Sequence, residues 1–182
     1  MIHLRDLQIE DKDKLRTWRN TPEVSKYMYT DHHITYEEHE QWFNRILKDQ
    51  TSRYWIIDCN DEDVGLVNVY NLDLKNKRCD WAFYIAEPSA RGKGVGSYVE
   101  YFVMKYVFED LGLNKLCCEV LDFNEGIANM HKRFGFNQEG YYREHIIKGE
   151  ERFDVIALAM LRDDWKRVEP EIVENLRKKG IL

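Results

Sequence analysis

The sequence predicts an α/β (α+β) fold, a mixed sheet with helices packed on it. Two observations carry this. Apolar residues recur at helical spacing as far as Asp49, then alternate from Arg53 onward. The early strands are joined by short turns and the later ones by helices. No linker, repeat or low-complexity stretch intervenes, so residues 1–182 read as a single domain with one sizeable core.

The elements follow in order. "IHLRDL" is a first strand. "EDKDKLRTWRN" is a short helix that stops near Pro22, because the residue before a proline avoids the helical region. "TYEEHEQWFNRILKD" is a better helix. Thr35 and Glu38 form a capping box, and Trp42/Ile46 and Phe43/Leu47 recur four apart. "RYWIIDC" and "VGLVNVY" flank the acidic turn "NDED" as a hairpin. "CDWAFYIA" sets Trp81, Phe83 and Ile85 against Ala82, Tyr84 and Ala86 on opposite faces.

"SYVEYFVMKYVFEDLG" has a single apolar stripe, Val99, Phe102, Val103, Tyr106 and Val107, and ends at Gly112. "KLCCEVL" is the next strand. "NEGIANMHKRF" is a helix with Asn124 as N-cap and Gly135 as stop. "DVIALAM" is a late strand. "DDWKRVEPEIVENLRKKG" is a helical tail, expected to kink or break at Pro170.

Composition excludes several classes. A net charge of −6, with the cations dispersed, argues against a nucleic-acid partner. The small cluster Arg177, Lys178 and Lys179 reads as a solvated helix end. "MIHLRDLQIED" lacks the apolar core of a signal peptide, and no apolar run is long enough to span a membrane. A cytoplasmic protein is expected. Cys59, Cys79, Cys117 and Cys118 form no CxxC pair, and the adjacent two point to opposite faces of a strand. Reduced thiols and no metal site are expected.

The stretch "RGKGVG", Arg91 to Gly96, carries the chemistry. A strand, three glycines and a helix start bring free backbone N–H groups to the positive end of a helix dipole. Arg91 and Lys93 add charge. An ordinary turn with solvated cations stays open on this stretch alone. A P-loop is excluded, since no glycine precedes Lys-Ser or Lys-Thr. A dinucleotide fingerprint needs GxGxxG after a first strand, and this loop is GxGxG in mid-chain. The pattern left is the R/Q-x-x-G-x-G/A loop that holds the pyrophosphate of coenzyme A.

Arg91-x-x-Gly94-x-Gly96 resembles the acetyl-CoA loop of the GNAT N-acetyltransferases. "NEGIANMHKRFGF", Asn124 to Phe136, is similar to that family's N-x-x-A-x-x-x-Y-x-K-x-GF segment. The resemblance implies a mostly antiparallel sheet splayed between the fourth and fifth strands. It implies an acetyl-CoA core at residues 78–136 and acceptor-binding helices at 1–50. Acetyl-CoA would be held by Arg91, Gly92, Lys93, Gly94, Val95, Gly96, Ser97 and Asn124. Backbone N–H groups around Tyr84, Ile85 and Ala86 would polarise the thioester carbonyl.

Direct amine attack is the implied reaction, with Glu119 as base through water. The family's usual acid is a tyrosine seven residues after the motif asparagine. That position is His131 here, a departure, with Tyr141 and Tyr142 as alternative acids.

"WRN-x-PEV-x-x-YMY" followed by "EEH-x-x-WF", Trp18 to Phe43, resembles one branch of the family. That branch acetylates the 4-amino group of UDP-4-amino-4,6-dideoxy-N-acetyl-β-L-altrosamine in pseudaminic acid biosynthesis. The implied acceptor contacts are Arg19, Asn20 and His39 toward phosphates or sugar, and Tyr70, Asn71, Asp80 and Tyr84 along the sugar. At least one of Trp18 and Trp42 is expected in the core. Ribosomal-protein N-terminal acetyltransferases carry similar segments, so a peptide acceptor is the alternative. A non-catalytic acetyl-CoA-binding module is a third reading. Exposed late strands allow a homodimer.

Overall fold

The computed structural model describes all 182 residues. Seven strands form one sheet: β1 (Ile2–Asp6), β2 (Arg53–Cys59), β3 (Asp63–Asp73), β4 (Arg78–Ile85), β5 (Lys115–Leu121), β6 (Asn137–Lys148) and β7 (Glu151–Leu161). Their spatial order is β1-β2-β3-β4-β5-β7-β6, and every pair is antiparallel except β4/β5. The helices are α1 (Lys12–Arg19), α2 (Pro22–Ser25), α3 (Tyr36–Ile46), α4 (Val95–Lys105), α5 (Glu125–Arg133) and α6 (Arg162–Lys178). None is long and apolar enough to cross a membrane.

Each face of the sheet has its own core. Trp81 of β4 packs with Val99, Val103 and Val107, with Ala128 of α5 and with Trp165, Ile172 and Leu176 of α6; Phe83 and Ile85 join at its edge. The other face buries Leu15, Trp18, Val24, Phe43 and Ile46 of α1–α3 against Ile56 and Leu66, with Tyr84 alongside. The alternation in "CDWAFYIA" therefore assigns the two faces correctly. Thr35 caps α3, its Oγ1 accepting from the Glu38 N–H at 3.2 Å. Glu38 does not complete the box; its carboxylate turns to His32 at 2.8 Å.

Three expectations are corrected. α6 runs unbroken through Pro170. Pro170 and Lys166 are both exposed, so the carbonyl that the proline leaves without a donor faces water. Asn124 does not cap α5 with its side chain. The strand β6 has no counterpart in the sequence reading. It is the sheet edge, with nine of its twelve residues exposed and none buried, and such a strand shows no apolar alternation.

The site is set by a failure of pairing. β4 and β5 pair only at Arg78–Lys115, Cys79–Leu116 and Asp80–Cys117. Beyond Asp80, β4 stays with β3 as far as Ile85–Gly65, while β5 stays with β7 as far as Leu121–Val155. A V-shaped split opens between Trp81–Ile85 and Cys118–Leu121.

Candidate active site

A cavity of about 400 Å³ fills this split. Its walls are β4 from Trp81 to Ile85, β5 from Cys118 to Leu121, and one side of α5, from Asn124 at its start through Ile127 to His131 in its last turn. Glu23, Val24, Tyr27, Met28 and Tyr29 close it on the α2 side. The free Asn124 side chain thus belongs to the cavity rather than to its helix.

Backbone parity decides which amide faces the split. The Ala86 N–H donates to the Val64 carbonyl at 2.8 Å, so it points toward β3. Alternation along an antiparallel pair sends the Tyr84 N–H the same way, toward Leu66. Of Tyr84, Ile85 and Ala86, only Ile85 turns its backbone to the split. Its carbonyl confirms the direction by accepting from Arg91 Nη2 at 3.1 Å. The Phe83 amide shares this parity.

At one mouth of the split lies the glycine loop. Gly92 and Gly94 adopt φ of 74° and 82°, left-handed values that a side chain would strain. Gly94 is the N-cap of α4. The N–H groups of Gly92, Lys93, Gly94, Val95, Gly96 and Ser97 find no backbone acceptor. They converge with the helix dipole on a groove of about 660 Å³, which Arg91, Lys179 and Ile181 also line. This donor set fits the pyrophosphate of coenzyme A.

At the opposite mouth, Glu119 is exposed and accepts a 2.6 Å hydrogen bond from the Tyr29 hydroxyl. Burial, then this bond, pushes the Tyr29 phenol up, so it stays a donor. Tyr29 stands out in the sequence only as one aromatic of the Trp18–Phe43 segment; its pairing with Glu119, 90 residues away, leaves no local signal. His131 is 3% exposed and lines the cavity. Tyr141 and Tyr142 are exposed on β6 and line neither the split nor a second pocket beside it; the Tyr141 hydroxyl is tied to Asp154 at 2.7 Å and pushed up to about 12.

That second pocket, of about 710 Å³, lies on the α1–α3 side of β4. It shares Met28, Ala82, Phe83 and Tyr84 with the split as common walls. Trp42, Tyr54 and Asn68 line it, while Trp18 is 6% exposed and belongs to the core.

Arg19 lines the pocket half-buried, and its sole side-chain partner is the Thr30 hydroxyl at 3.5 Å. No carboxylate answers it, and burial lowers its pKa. The Tyr84 hydroxyl is enclosed nearby without a partner.

The remaining acceptor expectations fare differently. Asn20 spends both ends of its amide on Ile34, donating to its carbonyl at 3.0 Å and accepting from its N–H at 2.8 Å. It pins the loop and is not free for a ligand. His39 is 3% exposed, with Nε2 on the Lys12 carbonyl at 2.7 Å and its ring against Trp42. Burial keeps it neutral, so it brings no charge to a phosphate. Asn71 donates to Asp80 at 2.7 Å, and with Tyr70 they lie at the base of the V, lining neither cavity.

Comparison with known proteins agrees with this geometry. Residues 2–137 match the family model described as acetyltransferase (GNAT) domain. Spermidine N(1)-acetyltransferase of Escherichia coli K12 is 27% identical over 152 residues, 83% of this chain and 81% of that one. Acetyltransferase PseH of Campylobacter jejuni 81-176 is 27% identical over 139 residues, 75% of this chain and 85% of that one. The crystal structure of spermidine N-acetyltransferase from Vibrio cholerae with CoA and spermine superposes with a TM-score of 0.84 at 21% identity, covering 91% of this chain and 98% of that one. The parallel β4/β5 splay, the glycine loop opening α4 and the family match together place this chain in the GNAT family of acetyl-transferring enzymes.

Proposed function

We propose that this enzyme acetylates the amine of a nucleotide sugar, the 4-amino group of UDP-4-amino-4,6-dideoxy-N-acetyl-β-L-altrosamine, as the Trp18–Phe43 pattern implies. The observation that carries this reading is Arg19. A half-buried guanidinium without a carboxylate partner, in a pocket with Trp42 and Tyr54, suits a phosphate on an aromatic-walled ligand. The same charge repels a polyamine. PseH, a relative at 27% identity, supports the sugar reading; spermidine acetyltransferases, as similar in sequence, support a polyamine. Glu23 and Glu119 at the cleft mouth favour that second reading.

Acetyl-CoA supplies an activated acetyl thioester. The loop from Gly92 to Ser97 holds its pyrophosphate, and Asn124 lines the path to the split. The Ile85 N–H polarises the thioester carbonyl; one such donor is worth about 3 kcal/mol. Glu119, oriented by Tyr29, takes the proton that the amine loses, through water. His131 gives a proton to the departing sulfur. A sugar amine beside electronegative ring carbons is less basic than a lysine amine at about 10.4, so a weak base suffices.

The test is thiol release from acetyl-CoA with three acceptors: the UDP-4-amino sugar, spermidine, and Ser- or Ala-initiated basic peptides. Sugar turnover is expected. Turnover of spermidine or peptide without sugar overturns the proposal, and no turnover of any amine alongside tight CoA binding favours a binding module. Arg19→Ala should raise KM for the sugar about 10- to 100-fold, the value of a hydrogen bond to a charged group. An unchanged KM removes Arg19 from this role.

A further inference from the structure

α4 carries a carboxylate where its core-facing side should be apolar. Glu100 is wholly buried, beside Val99 and Val103. Its Oε1 lies 2.8 Å from Nδ1 of His131, and its Oε2 has no partner. No arginine or lysine side chain and no backbone N–H reaches it; the imidazole is its one hydrogen-bond partner. Trp81 stands edge-on to that imidazole at 5.2 Å, and Phe136 lies at 5.5 Å. Burying such a pair costs several kcal/mol, and apolar residues of the same volume often fill a core as well or better. Packing therefore gives no reason for Glu100. Its position does: His131 lines the split beside Cys118, and no protein group hydrogen-bonds its Nε2.

We propose that Glu100 is a positioning residue. It holds the His131 imidazole through Nδ1 with a protonated Nε2 toward the split, and the pair stores the proton that the departing coenzyme A sulfur takes. This rests on acetyl transfer with His131 as the acid. As the amine nitrogen forms its bond to the carbonyl carbon, the C–S bond breaks and its electron pair stays on sulfur. The Nε2 proton goes to that sulfur. The amine's own proton leaves by Glu119 and water.

Before transfer the pair holds two protons and is neutral overall. Afterwards it holds one, shared between Nδ1 and Oε1, and carries −1. Burial opposes that state and pushes the Glu100 carboxyl up, so the pair regains a proton from water once products leave. The groups facing it are few. Cys118 on β5 is held as a neutral thiol by burial, Trp81 on β4 has no charge, and Arg133 on α5 acts in the opposite sense, favouring the carboxylate.

Glu100→Gln keeps the shape and removes the charge. It should lower kcat at least about tenfold, within the range of acid–base contributions. KM for acetyl-CoA and for the acceptor should stay within about twofold, and the alkaline limb of kcat should move to lower pH, as the imidazole loses its anion. Glu100→Asp should recover part of the rate. A folded Glu100→Gln enzyme with native kcat and native pH profile overturns the proposal. His131→Phe separates the layers. If it slows the enzyme and Glu100→Gln does not, the Glu100 role alone fails; if neither slows it, the acid assignment fails as well. Should the variants not fold, ¹⁵N NMR of the wild-type protein decides. Nε2 of His131 is expected to be protonated at pH 7, and a bare Nε2 overturns the proposal.

Discussion

Gly94→Ala tests, through its backbone, the glycine loop proposed to hold the pyrophosphate of coenzyme A. Gly94 sits at φ 82° and ψ 0°, where an L-residue costs about 1–2 kcal/mol. A β-carbon there would also meet Ile181 Cδ1 at 2.6 Å and Cγ1 at 2.8 Å. Those atoms are the end of a flexible side chain, so they yield, at about 1–2 kcal/mol of lost packing. The sum, about 2–4 kcal/mol, corresponds to a fall in Tm of roughly 5–15 °C for a chain of this size.

The loop's free N–H groups shift with the backbone. Coenzyme A binding should weaken about tenfold, the value of one charge-assisted hydrogen bond of about 1.5 kcal/mol. Calorimetric titration with coenzyme A and thermal unfolding read both effects. Ile181→Ala separates the two causes, since in that background only the backbone strain remains and Gly94→Ala should cost about 1–2 kcal/mol. An undiminished penalty in the double variant would refute the steric part. Native Tm and native affinity in the single variant would refute the whole argument.

Two further outcomes follow from the acceptor side. Lys148 Nζ donates to the carbonyls of Ser25, Lys26 and Met28 at 3.0, 3.0 and 2.8 Å, latching the β6–β7 hairpin onto the loop that closes the cleft. Lys148→Met should cost about 1–3 kcal/mol, speed hydrogen exchange at residues 25–31 and raise KM for the acceptor while leaving that for acetyl-CoA alone; unchanged exchange would show that the latch does not hold the loop. His39 is depressed below 6.5 by burial, so its stabilising contribution is complete above pH 6.5 and is lost as pH falls through its folded value. Tm measured from pH 8 down to pH 5 should decline, and His39→Gln should flatten that decline; an equal slope in the variant would place the titration elsewhere.

The glycine loop and the asparagine segment were legible because each depends on local chain geometry. So were the two faces of β4, which follow from alternation alone. β6 was not, because an exposed edge strand leaves no periodic pattern. Glu100 offered a faint signal, an acid flanked by the stripe residues Val99 and Val103, but its partner stands 31 residues away on another helix.

By itself, then, the sequence determined the order of elements apart from the edge strand β6, the glycine loop that opens α4, and the residue types along the split. Tertiary structure alone decided which of them act together. The Ile85 amide faces the split because Ala86 pairs with Val64, a matter of register that no neighbouring residue encodes. Arg19 stays without a carboxylate while Asn20 and His39 are taken up by Ile34 and Lys12, since hydrogen-bond partners are assigned only when distant segments meet. Local geometry is written into short stretches of chain; burial and pairing are properties of the packed whole.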